Sequence, residues 1–320
     1  MEPLSLVIKV TVVLAAAVAV TGAVRGRAAS TRHLLWTTTF LALVALPAAV
    51  RWLPALDLSL AAAAAGLGGS AADSAASTSW AWTWGRWLWA AGTAAALASL
   101  VAGALRFTAW ARSGEPLNDP SWRSTVDALR GELGVRRRVR LVLSAEATVP
   151  MVGGVLRPVL LLPPSALGWN DARRRAVLAH ELIHVRRHDP LRQLLAGAAL
   201  AVYWFHPLAW LASHRAALSR EEACDEGVLE LGLRPSDYAA ELLALADVAP
   251  STRAAAALPL VEPSQLERRI AGILSPHRPG PKRLQAALLS GLLLLGAVTT
   301  AAAASSVPKA ECSYKNPIPR

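Results

Sequence analysis

Apolar residues are concentrated in four long runs, at about 4–24, 34–50, 88–105 and 284–304. Each is close to the length that a helix needs to cross a bilayer, and arginine or lysine residues border the runs. The pattern predicts a mainly α multi-pass membrane protein with four transmembrane helices. A signal peptide is the alternative for the first run, but that run is long for one and begins after Glu2 rather than after basic residues.

The positions of the basic residues predict how the chain is oriented. They gather in the loop 25–33 and at both ends of 106–283, and basic loops remain on the cytoplasmic side. We therefore expect domain 1–110, with its three helices, to place the loop 57–85 outside the cell. Residues 111–283 form a cytoplasmic domain inserted before the fourth helix. The short tail 305–320 lies outside again.

Composition supports the membrane assignment and limits the partners. The chain is 54% hydrophobic, has a mean hydropathy of +0.37 and carries a formal net charge of +11. In a soluble protein this charge would favour nucleic-acid binding, but here the arginines flank apolar spans and the bilayer is the expected partner. We expect no direct contact with nucleic acid. The cysteines, Cys224 and Cys312, fall on opposite sides of the predicted membrane, so no disulfide is expected.

The inserted region alternates helical and extended patterns, which indicates an α+β domain. A helix is predicted at 127–133, and strands are predicted at 140–143 and 159–162. Such a small sheet could hold an extended substrate as an added strand. Simple structural packing is the alternative role for the sheet.

The strongest chemical signal is the H-E-x-x-H motif formed by His180, Glu181 and His184. Residues four apart on a helix project from one face, so both imidazoles can reach a single tetrahedral metal ion. Glu181 lies beside the first ligand, where it can take a proton from water. This is the arrangement of zinc peptidases, and it predicts a Zn²⁺ cofactor with Glu181 as the catalytic base.

A third protein ligand is needed for a catalytic zinc, and the segment R-E-E-A-C-D-E at 220–226 offers candidates. Glu221 and Asp225 lie four apart, so Glu221 can bind the metal while Asp225 orients an imidazole, that of His180 being the expected one. Glu222 points away on the same helix and is the weaker candidate. Cys224 is expected to be buried rather than a ligand, although thiolate ligation stays open. A surface acidic cluster is the alternative for the whole segment.

The two halves of this site are separated by an apolar segment, 191–212, long enough to suggest another span. A single crossing would place His184 and Glu221 in different compartments. We therefore predict that the segment turns back, with the break at Phe205-His206-Pro207. His206 has two open roles, one at the active site and one structural.

Four motifs together resemble the BlaR/MecR-type membrane metallopeptidases, the antirepressor regulatory proteases. They are V-P-M-V-G-G-V-L-R-P-V-L-L-L-P at 149–163, L-A-H-E-L-I-H-V-R-R-H-D at 178–189, Y-W-F-H-P-L-A-W at 203–210 and R-E-E-A-C-D at 220–225. The resemblance implies a cytoplasm-facing, zincin-like zinc endopeptidase domain held by four spans. It also implies that Glu221 is the third ligand, as in the more distant HtpX and CAAX-protease group.

Within that family, antibiotic sensors act by cleavage of a transcriptional repressor, which implies a BlaI-type repressor as the substrate here. Those sensors carry a penicillin-binding domain after the last span, whereas 305–320 is the sequence that follows it here. Direct β-lactam sensing is therefore not expected. The alternative is that the activating signal reaches the protease through the spans, the outer loop or a partner protein. Whether the protein forms a homodimer is left open.

Arg268 and Arg269 also resemble a family element. Either they mark a self-processing site, or Arg269 stabilises an oxyanion, as the arginine of the distant relatives does. An ordinary surface pair is the third interpretation.

The sequence thus favours a membrane zinc endopeptidase that cleaves a cytoplasmic repressor. Two other functions stay open. One is an HtpX-like quality-control protease, which would have a broad set of substrates. The other is a signalling scaffold with a structural zinc site, which would use four protein ligands and have no need of Glu181.

Overall fold

The computed structural model describes residues 3–25, 28–52, 78–248 and 265–275. In chain order its elements are α1 (Pro3–Ala23), α2 (Ala29–Trp52), α3 (Thr78–Ser113), β1 (Glu115–Pro116), α4 (Pro120–Leu133), β2 (Arg140–Leu143), β3 (Met151–Gly153), β4 (Val159–Leu162), α5 (Asp171–Arg187), α6 (Asp189–Val202), α7 (Pro207–Glu230), α8 (Pro235–Val248) and α9 (Gln265–Leu274). A short 3-10 turn, Pro164–Gly168, joins β4 to α5. The described chain is therefore mostly helical, with one small sheet.

Among the described helices, two are long and apolar enough to cross a membrane, at Leu6–Ala23 and Trp82–Ser113. They cover the first and third predicted spans. The second predicted span lies within α2, whose membrane assignment stays a prediction, and the run 284–304 and the tail 305–320 lie outside the described residues. One boundary was wrong. The predicted loop 57–85 ends earlier, because α3 already begins at Thr78 and its Trp- and Ala-rich first turns are compatible with a helix.

The sheet has the strand order β1-β2-β4-β3. β2 pairs in parallel with β4, whereas β1 and β3 pair antiparallel with their neighbours. The two predicted strands, 140–143 and 159–162, are confirmed at these bounds. The helix predicted at 127–133 was too short. It begins at Pro120, where the Asp119 carboxylate accepts hydrogen bonds from two backbone amides of the first turn.

Two apolar cores support the functional helices. In the first, Leu178, Leu182 and Ile183 of α5 are fully buried in a cluster that also contains residues of α4, the inner strands, α7, α8 and α9. In the second, α1 and α2 pack against α6 and the first half of α7. Because the second half of α7 packs on α5, this one helix belongs to both cores.

The apolar segment between the two halves of the site turns back, as predicted. α6 ends at Val202, and α7 begins at Pro207, directly after His206. The Nε2 atom of His206 lies 2.9 Å from the Thr11 hydroxyl of α1, and the side chain is buried. This contact places His206 at the α1–α7 packing interface and supports its structural role.

Candidate metal centre

The H-E-x-x-H motif lies in the last half of α5, where the apolar positions between its members anchor the helix. The helix starts with a cap, since the Asn170 side chain accepts a hydrogen bond from the amide of Arg173. His180, Glu181 and His184 are each 8% exposed. The histidines therefore lie in a protected site that retains a path to solvent.

The structure brings the three predicted metal ligands together. The Nε2 atoms of His180 and His184 lie 3.5 Å and 3.9 Å from the same Glu221 oxygen, Oε2. All three ligand atoms fall within 4.8 Å of one another. Two imidazoles and a carboxylate from two helices thus converge on one point, and they can hold one divalent ion.

Asp225 approaches His180, the histidine that it was predicted to orient. Its Oδ1 atom lies 3.3 Å from the His180 Nδ1. Tyr238 of α8 lies beside both groups: its hydroxyl donates a hydrogen bond to Asp225 at 2.6 Å and is 2.9 Å from the same Nδ1. Burial alone would lower the pKa of His180, but Asp225 and Glu221 raise it to about 9. These contacts hold the ring with its Nε2 atom towards Glu221.

Asp189 supports the second histidine. Its Oδ2 atom accepts a hydrogen bond from the His184 Nδ1 at 2.9 Å, and the residue is 2% exposed. The chain reaches this position because His188 has a positive φ of 57°, which ends α5 and starts α6 at the next residue. Burial would raise the pKa of Asp189, but the bond with His184 and the nearby Arg187 lower it to about 2. The carboxylate is therefore ionised and fixes the His184 tautomer.

Arginines hold the carboxylate of Glu221. Arg220 donates to its Oε1 atom at 3.0 Å, and Arg269 of α9 lies 3.6 Å from Oε2. Burial would raise the pKa of Glu221, but the two histidines and Arg220 hold it well below its usual range. Glu221 is thus a carboxylate, the form that binds a metal.

Arg269 makes a two-pronged ion pair with Asp225, through Nε and Nη2, both at 2.8 Å. Burial would lower the pKa of this guanidinium, but Asp225 and Glu221 raise it above its usual range. The neighbouring Arg268 is exposed. The geometry therefore supports a fourth role for Arg269, different from self-processing, oxyanion binding and a surface pair: it holds Asp225 and Glu221 in place.

The structure also shows where Glu222 and Cys224 of the segment 220–226 lie. Glu222 forms an ion pair with Arg32 of α2 at 2.6 Å and so points away from the histidines, as predicted. Cys224 is fully buried, with Sγ 3.2 Å from the Nδ1 of His184. Cys224, His184 and Asp189 also form a group of possible metal ligands. However, the Nδ1 of His184 is already bonded to Asp189, so this group is better explained as support for the imidazole.

Sequence reasoning missed Asp189 and Tyr238 as partners of the two histidines, and these residues differ in how easily they could have been found. Asp189 is the last residue of the motif at 178–189 and lies five residues after His184, so the sequence alone could have indicated it as a partner of that histidine. Tyr238 lies in a different helix, with no motif around it. Its contact with Asp225 depends on how α8 packs, which no spacing rule predicts.

The donor set fits a catalytic metal. Two neutral nitrogen donors and one carboxylate are the ligand types of a zinc peptidase site, and three ligands leave one coordination position open. Both Nδ1 atoms already have partners, so the Nε2 atoms are left to bind the ion.

The chain is similar to known bacterial regulatory proteins. Regulatory protein BlaR1 of Bacillus licheniformis is 29% identical over 143 residues, which are 45% of this chain and 24% of that protein. The methicillin resistance MecR1 proteins of Staphylococcus aureus and Staphylococcus epidermidis are 26% identical over 97 residues, 30% of this chain and 17% of theirs. The matches thus span at most about a quarter of these relatives' length.

A family model is matched more extensively. The model described as "BlaR1 peptidase M56" matches residues 2–273, which include the H-E-x-x-H motif, Glu221 and Asp225. The match covers well over half of the chain. The protein therefore belongs to the BlaR1 peptidase M56 family, a family of metal-dependent peptidases.

Proposed function

We propose that this protein is a membrane zinc endopeptidase of the BlaR/MecR type that cleaves a cytoplasmic protein, a BlaI-type transcriptional repressor being the expected substrate. One observation carries the proposal. Two histidine Nε2 atoms and the Glu221 carboxylate converge within 4.8 Å, and Glu181 follows the first histidine on the same helix. A structural zinc site would use a fourth protein ligand and would have no use for Glu181.

Bound zinc would lower the pKa of a water molecule and polarise the carbonyl of the scissile peptide bond. The protein supplies the rest of the chemistry. Glu181 takes a proton from the attacking water and delivers it to the leaving amide nitrogen. Asp225 with Tyr238, and Asp189, keep His180 and His184 oriented throughout, so the site is preorganised for the reaction.

The sheet offers a place for an extended substrate. β3 is an edge strand, paired on one side with β4 and in contact with α5, the helix of the motif. On its other side no strand pairs with it among the described residues. A substrate segment added there would bind through backbone hydrogen bonds, which suits a protease that cleaves unfolded or mobile segments.

The membrane arrangement is part of the same proposal. α1 and α3 satisfy the length and apolarity needed for spans, and we place the peptidase domain on the cytoplasmic side because basic residues border it. A cytoplasmic site can reach a soluble repressor.

Glu181→Gln tests the proposal. The change keeps the size of the side chain but removes the base, so cleavage should fall about a hundredfold to ten-thousandfold while one zinc remains bound per chain. The substrate is found by comparing the new protein amino termini in cells that express the wild type or the variant. Glu132→Gln is a matched control, because Glu132 pairs with Arg175 on the domain surface.

The outcomes separate the candidate functions. The proposal is supported by a new amino terminus within one repressor that forms with the wild type but not with Glu181→Gln. Many termini in membrane proteins would instead support the quality-control protease. The assigned base would be refuted if Glu181→Gln cleaved as well as the wild type, while the Glu132→Gln control produced the same new amino termini as the wild type.

A further inference from the structure

A buried polar cluster lies where α2 meets the metal-binding helices. His33 of α2 is 5% exposed, and it faces Asp189, Arg187 and Arg192 at the α5–α6 junction. Buried polar groups are costly unless they are paired, and among the described residues Arg187 Nε and Asp189 Oδ1 make no hydrogen bond. The contacts that the cluster does make are therefore the ones that hold its members in place.

His33 acts as an acceptor in this cluster. Its Nδ1 atom accepts hydrogen bonds from Arg187 Nη2 at 2.5 Å and from Arg192 Nη1 at 3.4 Å. A guanidinium can only donate, so this nitrogen carries no proton. The histidine thereby fixes both arginines on the side of the cluster that faces α2.

The same two arginines flank Asp189. Arg187 Nε lies 3.4 Å from its Oδ2, and Arg192 Nη1 lies 3.7 Å from its Oδ1. Oδ2 is the atom that accepts the hydrogen bond from His184. A series of contacts therefore runs from His33 to His184: a hydrogen bond to Arg187, an ion pair of Arg187 with Asp189, and a hydrogen bond between Asp189 and His184.

A second set of contacts ties the start of α2 to the helix of the third ligand. The amide of Ala29 donates to the Glu226 carboxylate at 2.7 Å, and Arg32 pairs with Glu222 at 2.6 Å. Glu222 directly follows Glu221 in α7. The first turns of α2 are thus attached to both helices that supply ligands.

We propose that His33 is a positioning residue for the metal centre, acting through Arg187 and Asp189 on His184, so that the position of α2 determines how well the site binds metal. The inference rests on the function proposed above. It adds that a helix containing a predicted span contributes to the geometry of the centre. His33 itself need not touch metal or substrate.

Two substitutions test it in the full-length protein in detergent. His33→Leu fills the same volume but offers no acceptor, so Arg187 and Arg192 lose their fixed position. His33→Asn places an amide oxygen close to the former Nδ1 and should restore the contact. Thr39→Val is the matched control, because this buried residue of α2 donates its hydroxyl only to the Leu35 carbonyl of its own helix in the contacts described.

Three measurements distinguish positioning from general stability: the Kd for zinc by chelator competition, the visible spectrum of the cobalt-substituted protein, and kcat and KM on fluorescein-labelled casein. In His33→Leu we expect zinc binding about tenfold weaker, at the lower end of the effect of residues that support metal ligands. We also expect a shifted cobalt spectrum and a lower kcat with little change in KM. His33→Asn and Thr39→Val should behave as the wild type.

Equal zinc affinity and cobalt spectra in His33→Leu and the wild type would overturn the inference. So would an equal loss in His33→Leu and Thr39→Val. If His33→Leu does not fold, His33→Gln replaces it: its amide oxygen lies one methylene further out, and wild-type affinity there would overturn the inference. A wild-type protein that binds no zinc and cleaves nothing would instead refute the proposed function.

Discussion

Arg269→Gln should destabilise the metal-free protein by about 2–4 kcal/mol at neutral pH. The arginine donates two hydrogen bonds of 2.8 Å to Asp225, whose side chain is 4% exposed. Burial would raise the pKa of Asp225, but Arg269 and His180 lower it to about 2 from its ordinary 3.8. A difference of this size corresponds to about 2 kcal/mol of stability. Breaking a fully buried ion pair from one side costs about 3–5 kcal/mol, and the upper value of about 4 kcal/mol used here reflects that the Arg269 side chain is 15% exposed.

The pH dependence has a defined sign. Because folding lowers the pKa of Asp225, its stabilising contribution is fully present above pH 3.8 and is lost as the pH falls towards 2. Arg269→Gln removes much of this contribution. The difference in stability between wild type and variant should therefore be largest at neutral pH and should shrink below about pH 4.

The assay is a thermal melt of both proteins in detergent with a chelator present, so that metal binding does not contribute. At about 3 °C per kcal/mol for a domain of this size, Arg269→Gln should melt about 6–12 °C below the wild type at pH 7. Arg268→Gln is the matched control at the neighbouring, exposed position and should melt within about 2 °C of the wild type. Equal melting of the two variants would refute the assigned ion pair.

Other contacts lead to further predictions. Tyr238→Phe removes the hydroxyl beside His180 and should weaken zinc binding about tenfold in chelator competition, with the fold intact by circular dichroism. Because the pKa of His180 is about 9 without metal, zinc must displace its proton, and the affinity for zinc should rise with pH up to about 9. Calorimetry in several buffers should detect close to one released proton for each zinc bound at pH 7.5. Gly227→Val should lower the melting temperature, because even a Cβ there would lie 3.0 Å from Ile183 and overpacking costs about 1–3 kcal/mol. Gly131→Ala is the control: a Cβ at this helical position meets open space, so the change should be neutral or stabilising.

Sequence reasoning reached the local features of the site because they follow from spacing. The pair His180 and His184 needs only helical periodicity, and so does the pairing of Glu221 with Asp225. The turn between α6 and α7 was predicted because a single membrane crossing by the segment 191–212 would separate His184 from Glu221. Two ligands cannot bind one ion from opposite sides of a membrane. Each of these inferences used short distances along the chain or a strict geometric requirement.

The parts that were missed depend on packing between distant elements. Arg269 reaches Asp225 from α9, and Tyr238 reaches it from α8. His33 meets Asp189 only because α2 packs across α6 and α7. No periodicity links such residues, so three-dimensional contacts were needed to connect them with the metal centre. The edge strand β3 was likewise missed, since three residues are too few to show an alternating pattern.

The continuity of α7 has a mechanical consequence. Its first half packs with α1 and α2, and its second half carries Glu221. At 1.5 Å per residue, Glu221 lies about 21 Å along the axis from Pro207. A rigid tilt of α7 by about 5° about Pro207 would displace the carboxylate by about 2 Å, a distance equal to one zinc–ligand bond. The packing of the first half of α7 with α1 and α2 therefore bears directly on where the Glu221 carboxylate lies relative to His180 and His184.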